Sequence, residues 1–578
     1  MKTRWTVYIL SVALFSCGIQ EDFSDDLLVD PSGKADNMSI VGPPTWADDS
    51  NTRVWLVKNQ WEDRTTPAAL KAGIAWPADS GLNWDEKFVK WISSLKKIDA
   101  FDQGYNYVYG YYTPQTYELS TPWGKKIPAP YLDCADSWIF LRVTFAAWYN
   151  LPFYMEDYVN GSRAYFGHFG IRTASGSAGP SFRSWYSDYS SMTAAQIQEQ
   201  GWPQDNNLRN QMVYDEWGDE QPFIAPGART GAFFDEIHLN KRVGYFTRLL
   251  LMQFGTFDLG GQSRNVYNPT ASSVRQGDAL LKRYSQDGVG HTYLILRTER
   301  NDAGKIAVEV ASASMPPRQP DWESQAQSKG PFLESAAGGT GENYEGDSYA
   351  KLGGGLKRFR VAKKTSNGYW KNTVMVADQD SWISATDYEN ISKRPEQFGE
   401  LIGEIAPEEK LQVLLNTIAN ARRHLRQYPA SCATRTNRER AFDELYMLQA
   451  EYFGINKLET DLAYRKKEDY VFAELIYTIS KTCCWNQSTS AMYELIMEYV
   501  DEQESHANQC QKPPVFKAIN GGYSMFANYA SYVGQGLDWV DWSEDENCPQ
   551  RSTVTDTEMT PDWTDYCELN LWRTPSHQ

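Results

Sequence analysis

A solitary cysteine and a histidine that opens a strand are the residues in this sequence best suited to chemistry. After Cys134, the run CADSWIFLRVTFAAWYNLPF places Trp138, Leu141, Phe145 and Trp148 at spacings of three and four, an amphipathic helix pattern. The preceding TPWGKKIPAPYLD carries the Gly, Pro and Lys of a loop. The thiol therefore falls at a helix N-terminus, where unpaired backbone N–H groups and the macrodipole favour a thiolate. Asp133 or Asp136 can cap that end, but a negative neighbour also opposes ionisation, so the thiol needs a base. Of six histidines, His291 stands apart: it opens HTYLILRTER, a β-rich run bounded by glycines. Asn301 to Gly304 reads as a turn and KIAVEVASAS as the returning strand. His168 and His238 read as ordinary partly buried or surface residues, His424 lies in a charged helical stretch, His506 in the cysteine-rich half and His577 at the end. The chemistry implied is attack of the Cys134 sulfur on an acyl carbon, with His291 taking its proton and returning it to the leaving group.

A third polar group should orient the imidazole from the neighbouring strand. If the hairpin turns about Asp302 and Ala303, position 314 lies opposite His291, so Ser312 and Ser314 share its face and Glu309 does not. No His, Asn or Gln is evident at that place. The Cys134 backbone N–H, with Tyr131 or Trp123 from the preceding loop, could hold an oxyanion.

The order of these pieces resembles NlpC/P60-type thiol enzymes, within the papain-like class that includes transglutaminase-like proteins. The matching residues are Trp123-Gly124, Asp133-Cys134-Ala135, Gly277-Asp278-Ala279-Leu280 and Gly290-His291-Thr292-Tyr293-Leu294-Ile295, with Asn150-Leu151-Pro152 similar to the turn ending the nucleophile helix in transglutaminase-like proteins. The resemblance implies an α+β, papain-like core with Cys–His hydrolase or acyl-transfer activity on amide bonds, cell-wall peptides among the candidates. Trp123, Tyr131 and Asp133 would lie near substrate, and no cofactor or metal is implied. It covers about 105–160 and 270–315, which makes 154–260 an insertion. The insertion's aromatics (Tyr165, Phe166, Phe169, Trp185, Tyr186, Tyr189, Trp202, Trp217) read first as core and second as a cleft lining. The alternative of another class is an envelope lipoprotein that keeps the fold and binds or scaffolds without turnover.

Other chemistry lacks its residues: there is no HExxH, CxxC or GxSxG, and the glycine-rich stretches have no phosphate-loop Lys-Ser/Thr. With 56 Lys+Arg against 74 Asp+Glu, net charge −18, the chain is no binder of nucleic-acid backbones. Lys2 and Arg4 flank an apolar run, Trp5 to Phe15, too short for the ~20 residues that span a bilayer. Leu14-Phe15-Ser16-Cys17 resembles a bacterial lipobox, which implies lipidation of Cys17 and, with Gly18, outer-membrane anchoring in the envelope; plain secretion is the alternative. The expected organisation is a signal peptide at 1–16, an acidic tether at 17–45, the papain-like domain at 46–360 and a helical domain at 361–578. AAGGTGENYEGD and KLGGGLKRF are read as turns or a connector at that boundary. Helices are expected at Pro407 to Leu425, RAFDELYMLQAEYFG, EDYVFAELIYTISKTCCW and SAMYELIMEYVDEQ. Cys432, Cys483, Cys484, Cys510, Cys548 and Cys567 form an even set that reads as three disulfides stapling this half, with adjacent Cys483 and Cys484 taking separate partners.

Overall fold

The computed structural model describes residues 84–576 apart from 100–114, 174–185, 478–487, 541–555, 559–564 and breaks of one to four residues, together with 40–44 and 82. The expected signal peptide, Cys17, Cys483, Cys484, Cys548 and the side chain of Cys432 lie outside the described residues. The fold is mixed α+β and divides into two compact units, the first ending at Ala406 and the second starting at Pro407.

In the first unit α1 (Trp84–Ser94) precedes a small antiparallel sheet of β1 (Lys96–Asp99), β2 (Gln115–Ser120) and β3 (Lys126–Pro128). After α2 (Cys134–Trp148) comes a second three-stranded sheet, β4 (Tyr154–Val159), β5 (Ser162–Gly167) and β6 (Gly170–Thr173), then α3 (Thr230–Ile237), α4 (Lys241–Gln253) and α5 (Thr256–Gly261). The main sheet uses β7 (Val266–Pro269), β8 (Ala279–Arg283), β9 (Gly290–Arg300), β10 (Ile306–Ser312), β11 (Asp321–Trp322), β12 (Gly355–Phe359) and β13 (Trp382–Ile383), all antiparallel, in the order β11-β10-β9-β8-β12-β7-β13. Helices α6 (Gln325–Leu333) and α7 (Arg394–Ile402) complete the unit.

The Asp133 side chain caps α2 by accepting the Asp136 N–H at 2.7 Å, and Pro152 follows soon after the helix ends. The expected amphipathic stripe is wider than its spacing implied: fourteen of the fifteen α2 residues are buried. Aromatic rings of α1 cover one side, Phe233 and Phe234 of α3 another, and the main sheet a third. Trp138 of α2 donates its indole N–H to Gly277 O at 2.8 Å, just before β8. Strand alternation then sorts the main sheet into two faces. Ala279, Leu281, Leu294 and Ala311 join the core around α2, while Leu280, Ile295 and Val310 join a second core with Phe332 of α6 and Phe398 of α7.

Inside this apolar frame runs a chain of buried ion pairs. Arg142 of α2 reaches Asp85 of α1 at 3.0 Å; Asp85 also pairs with Arg275, which grips Asp378 at 2.9 and 3.0 Å. Arg358 of β12 bonds Asp378 at 3.0 Å and holds both oxygens of Asp278 at 2.6 and 2.8 Å. Asp278, read from the sequence as part of a family signature, is thus the end of a structural network.

Two boundaries differ from expectation. The first unit continues past residue 360 to Ala406, because KLGGGLKRF supplies β12, an interior strand of the main sheet. Its glycines serve close approach: Gly353 (φ +81°) and Gly355 (φ +98°) take the left-handed region, where an added Cβ would meet Gly260 and Arg394. At the other end Ile40–Pro44, counted with the tether, pairs as a strand with Tyr369–Thr373, since β-branched Ile40 and Val41 suit a ladder.

The second unit is helical as expected, with α8 (Pro407–Leu425), α9 (Cys432–Leu448), α10 (Lys457–Tyr464), α11 (Lys467–Val471), α12 (Ser490–Ala507) and α13 (Tyr523–Tyr532). EDYVFAELIYTISKTCCW departs from the helix expected there: α11 ends at Val471, and Leu475–Tyr477 pairs with Asp556–Glu558. Asp469 anchors the unit's polar core, accepting Arg422 Nε at 2.9 Å and Nη2 at 2.6 Å and lying 3.3 Å from Arg438. Cys510 and Cys567 form a disulfide 57 residues apart in sequence. Chain-entropy arguments give such a loop about 4 kcal/mol. Cys510→Ala should therefore lower the unfolding free energy of the non-reduced protein by about 2–4 kcal/mol in denaturant titration, with little loss in a sample already reduced.

Candidate functional site

Cys134, first residue of α2, is 9% exposed at the end of the main sheet where β9 begins and β10 ends. Its sulfur lies 3.8 Å from Thr256 Oγ1, which is 3.2 Å from Thr292 Oγ1. The two hydroxyls thus link the sulfur to the start of β9, one residue after His291. The backbone N–H groups of Thr292 and Ala135 are near enough to favour the thiolate, though less than burial opposes it. Burial, and then the Asp133 charge, push the thiol pKa up to about 12.

His291 comes to the same end of the sheet but is not joined to the sulfur. It pairs across the ladder with Lys282, and its half-buried ring lies edge-on to Tyr293 at 4.5 Å, on the sheet face of α6. The ring has no hydrogen-bond partner among the described residues, and burial followed by Lys282 and Arg318 lowers its pKa to about 3. On the α2 face the neighbouring position belongs to Thr292, which stood within the motif read from the sequence but was assigned no role there.

The hairpin has the expected register at this end, with Tyr293 opposite Ser312, while beyond a bulge between Ile295 and Arg297 the half nearer the turn is one residue out of it. Ser312 and Ser314 accordingly share the imidazole's face, yet neither orients it. Ser312 Oγ donates to Glu323 Oε1 at 2.6 Å, while Arg318 donates to Ser312 Oγ at 3.3 Å and to Ser314 Oγ at 3.1 Å. Burial raises the Glu323 pKa to about 7. With Lys282, which bonds Glu334 at 2.8 Å, it adds titratable groups to this face that sequence spacing did not reveal.

The loop before Cys134 is held from three sides. Gln221 clamps the Tyr131 backbone through both ends of its amide at 2.9 and 2.8 Å, Leu132 and Arg318 exchange backbone bonds, and Gln319 donates to Ala129 O at 2.8 Å. The Asp133 N–H donates to the Tyr214 hydroxyl at 2.8 Å, which donates to Asp136 at 2.5 Å. Burial lifts Asp133 to about 6 and Asp136 well above the ordinary carboxyl range. Tyr131 is buried against Phe223, and Trp123 packs on Trp202 in the β2–β3 turn. The Cys134 N–H, first of its helix, has no acceptor among the described residues and remains available to an oxyanion. In the insertion Tyr165, Phe166 and Tyr186 are buried and Phe169 packs on Phe246, so these rings fill core; Trp185 and Trp217 lie outside the described residues.

Among the described residues no group of three His, Cys, Asp or Glu is placed to hold a metal ion, and no helix is long and apolar enough to cross a membrane. No family model, curated protein or solved structure matches the chain.

Proposed function

We propose that the first unit is a papain-like thiol hydrolase or acyltransferase acting on amide bonds, carried on an exported, lipid-anchored envelope protein. The observation that carries this reading is the helix-start sulfur linked through Thr256 to Thr292, the residue next to an imidazole with no hydrogen bond of its own among the described residues. Thiol and imidazole are both neutral at rest, burial being the first cause for each, so proton transfer awaits a bound acyl group. His291 then turns from Tyr293 toward the sulfur and takes its proton as the C–S bond forms. The oxyanion meets the Cys134 N–H, the amine leaves with the proton, and water or a second amine resolves the thioester.

A peptidyl p-nitrophenyl ester should acylate Cys134 at least about 10²-fold faster in wild type than in His291→Ala. Equal rates in the two proteins would falsify the catalytic reading. They would leave the second one, a binding or scaffolding lipoprotein without turnover, which is favoured by the threonine pair Thr256 and Thr292 standing beside the sulfur. Added amine separates transfer from hydrolysis, because only an acyltransferase diverts most product to it.

A further inference from the structure

A cavity of about 230 Å³ lies where β12 and β7 meet the end of α5. Tyr267, Asn268, Lys357, Trp382, Ala385 and Tyr388 help to line it, and no Asp or Glu does. Lys357 is 5% exposed; its ammonium nitrogen donates to Asn268 Oδ1 at 2.8 Å, its only hydrogen-bond partner among the described residues. Buried lysines are normally matched by a carboxylate, and here none is paired with it among the described residues. The surrounding charge makes matters worse. Arg394, fully buried, spends its guanidinium on three carbonyls, those of Gly354, Leu356 and Ile391, and Arg283 donates to those of Thr256, Ser285 and Gln286. Burial first, then Arg394 and Arg283, hold the Lys357 amine well below the ordinary lysine range. Carbonyls satisfy hydrogen bonds but bring no net charge, so the wall of this cavity lacks an anion.

We propose that the cavity binds a small organic oxyanion, a carboxylate or a phosphate monoester with an apolar body, whose charged end is received by Lys357 and Asn268. The rings of Tyr267, Trp382 and Tyr388 offer the apolar body its surface, and Lys351 sits at the rim, 5.8 Å from the Tyr388 ring centre. The volume is below the ~300 Å³ at which drug-sized pockets begin, which sets the ligand at the size of a small metabolite. The inference is independent of the thiol chemistry.

Calorimetric titration of the full chain with benzoate and with phenyl phosphate tests it, with inorganic phosphate as the body-free control. One aryl oxyanion should bind saturably at one site, more tightly than inorganic phosphate; which of the two binds more tightly identifies the charged group. Lys357→Met, which removes the charge and keeps the volume, should weaken binding at least tenfold without lowering the melting temperature. Ala385→Phe, which fills the cavity from a half-buried turn, should do the same by exclusion and decides the matter if the lysine variant does not fold. Absence of saturable binding by both aryl ligands, inorganic phosphate binding as tightly as either, or affinity unchanged in the variants would overturn the proposal.

Discussion

Iodoacetamide should alkylate Cys134 near neutral pH about 10²-fold more slowly in the native chain than in urea, read by mass spectrometry of the Cys134 peptide. Raising a thiol from its usual value near 8.5 to about 12 removes more than 10³ of its thiolate, and the greater nucleophilicity of the more basic thiolate returns part of that. The causes fix the sign: burial first and the Asp133 charge second both disfavour the anion, while the N–H groups of Thr292 and Ala135 oppose them more weakly. The native rate should climb about tenfold per pH unit between roughly pH 7 and 10. A rate flat with pH and comparable to that of the open thiol would mean that Cys134 and His291 share a proton already at rest.

The other large effect concerns stability. Asp278→Ala should cost about 3–5 kcal/mol in chemical denaturation, because Arg358, in a site closed to water, loses two of its carboxylate bonds and keeps the one to the shared Asp378. The loss comes from an under-compensated buried charge more than from the missing bonds, since Asp378 is shared with Arg275, so Asp278→Ala combined with Arg358→Met should recover much of it. An additive double variant would show instead that the remaining links through Asp378, Arg275 and Asp85 hold the network without Arg358.

What the sequence conveyed and what it concealed divide along physical lines. Tyr293 stands opposite Ser312 as reasoned, but only because a bulge offsets a turn one residue out of the assumed register. Helix α2 and an aspartate cap, Asp133 or Asp136, follow from local rules of periodicity and capping and were legible. Thr256 and Thr292 were not, since a hydroxyl becomes notable only when the fold places it beside a sulfur 122 residues away in the chain. The same holds for Asp278, which carries no local sign of Arg358, 80 residues on. Ser312 and Ser314 were located correctly, yet their bonds go to Glu323 and Arg318, both beyond the hairpin whose geometry had been reasoned out. The glycines before β12 misled for a different reason. Composition cannot distinguish a residue that loosens the chain from one that lets two backbones touch.

Leu296 has no counterpart on β10, and this surplus residue works as a frame marker for the strand. On its outer side Thr298 stays over Val308; on its inner side Tyr293 stays over Ser312. Were it deleted with the outer half held in place, every residue from Gly290 to Ile295 would turn over to the opposite surface of the sheet. The imidazole would move to the Thr292 position and the Thr292 hydroxyl to that of Tyr293, so a single codon sets which of the two side chains rests on the α2 face.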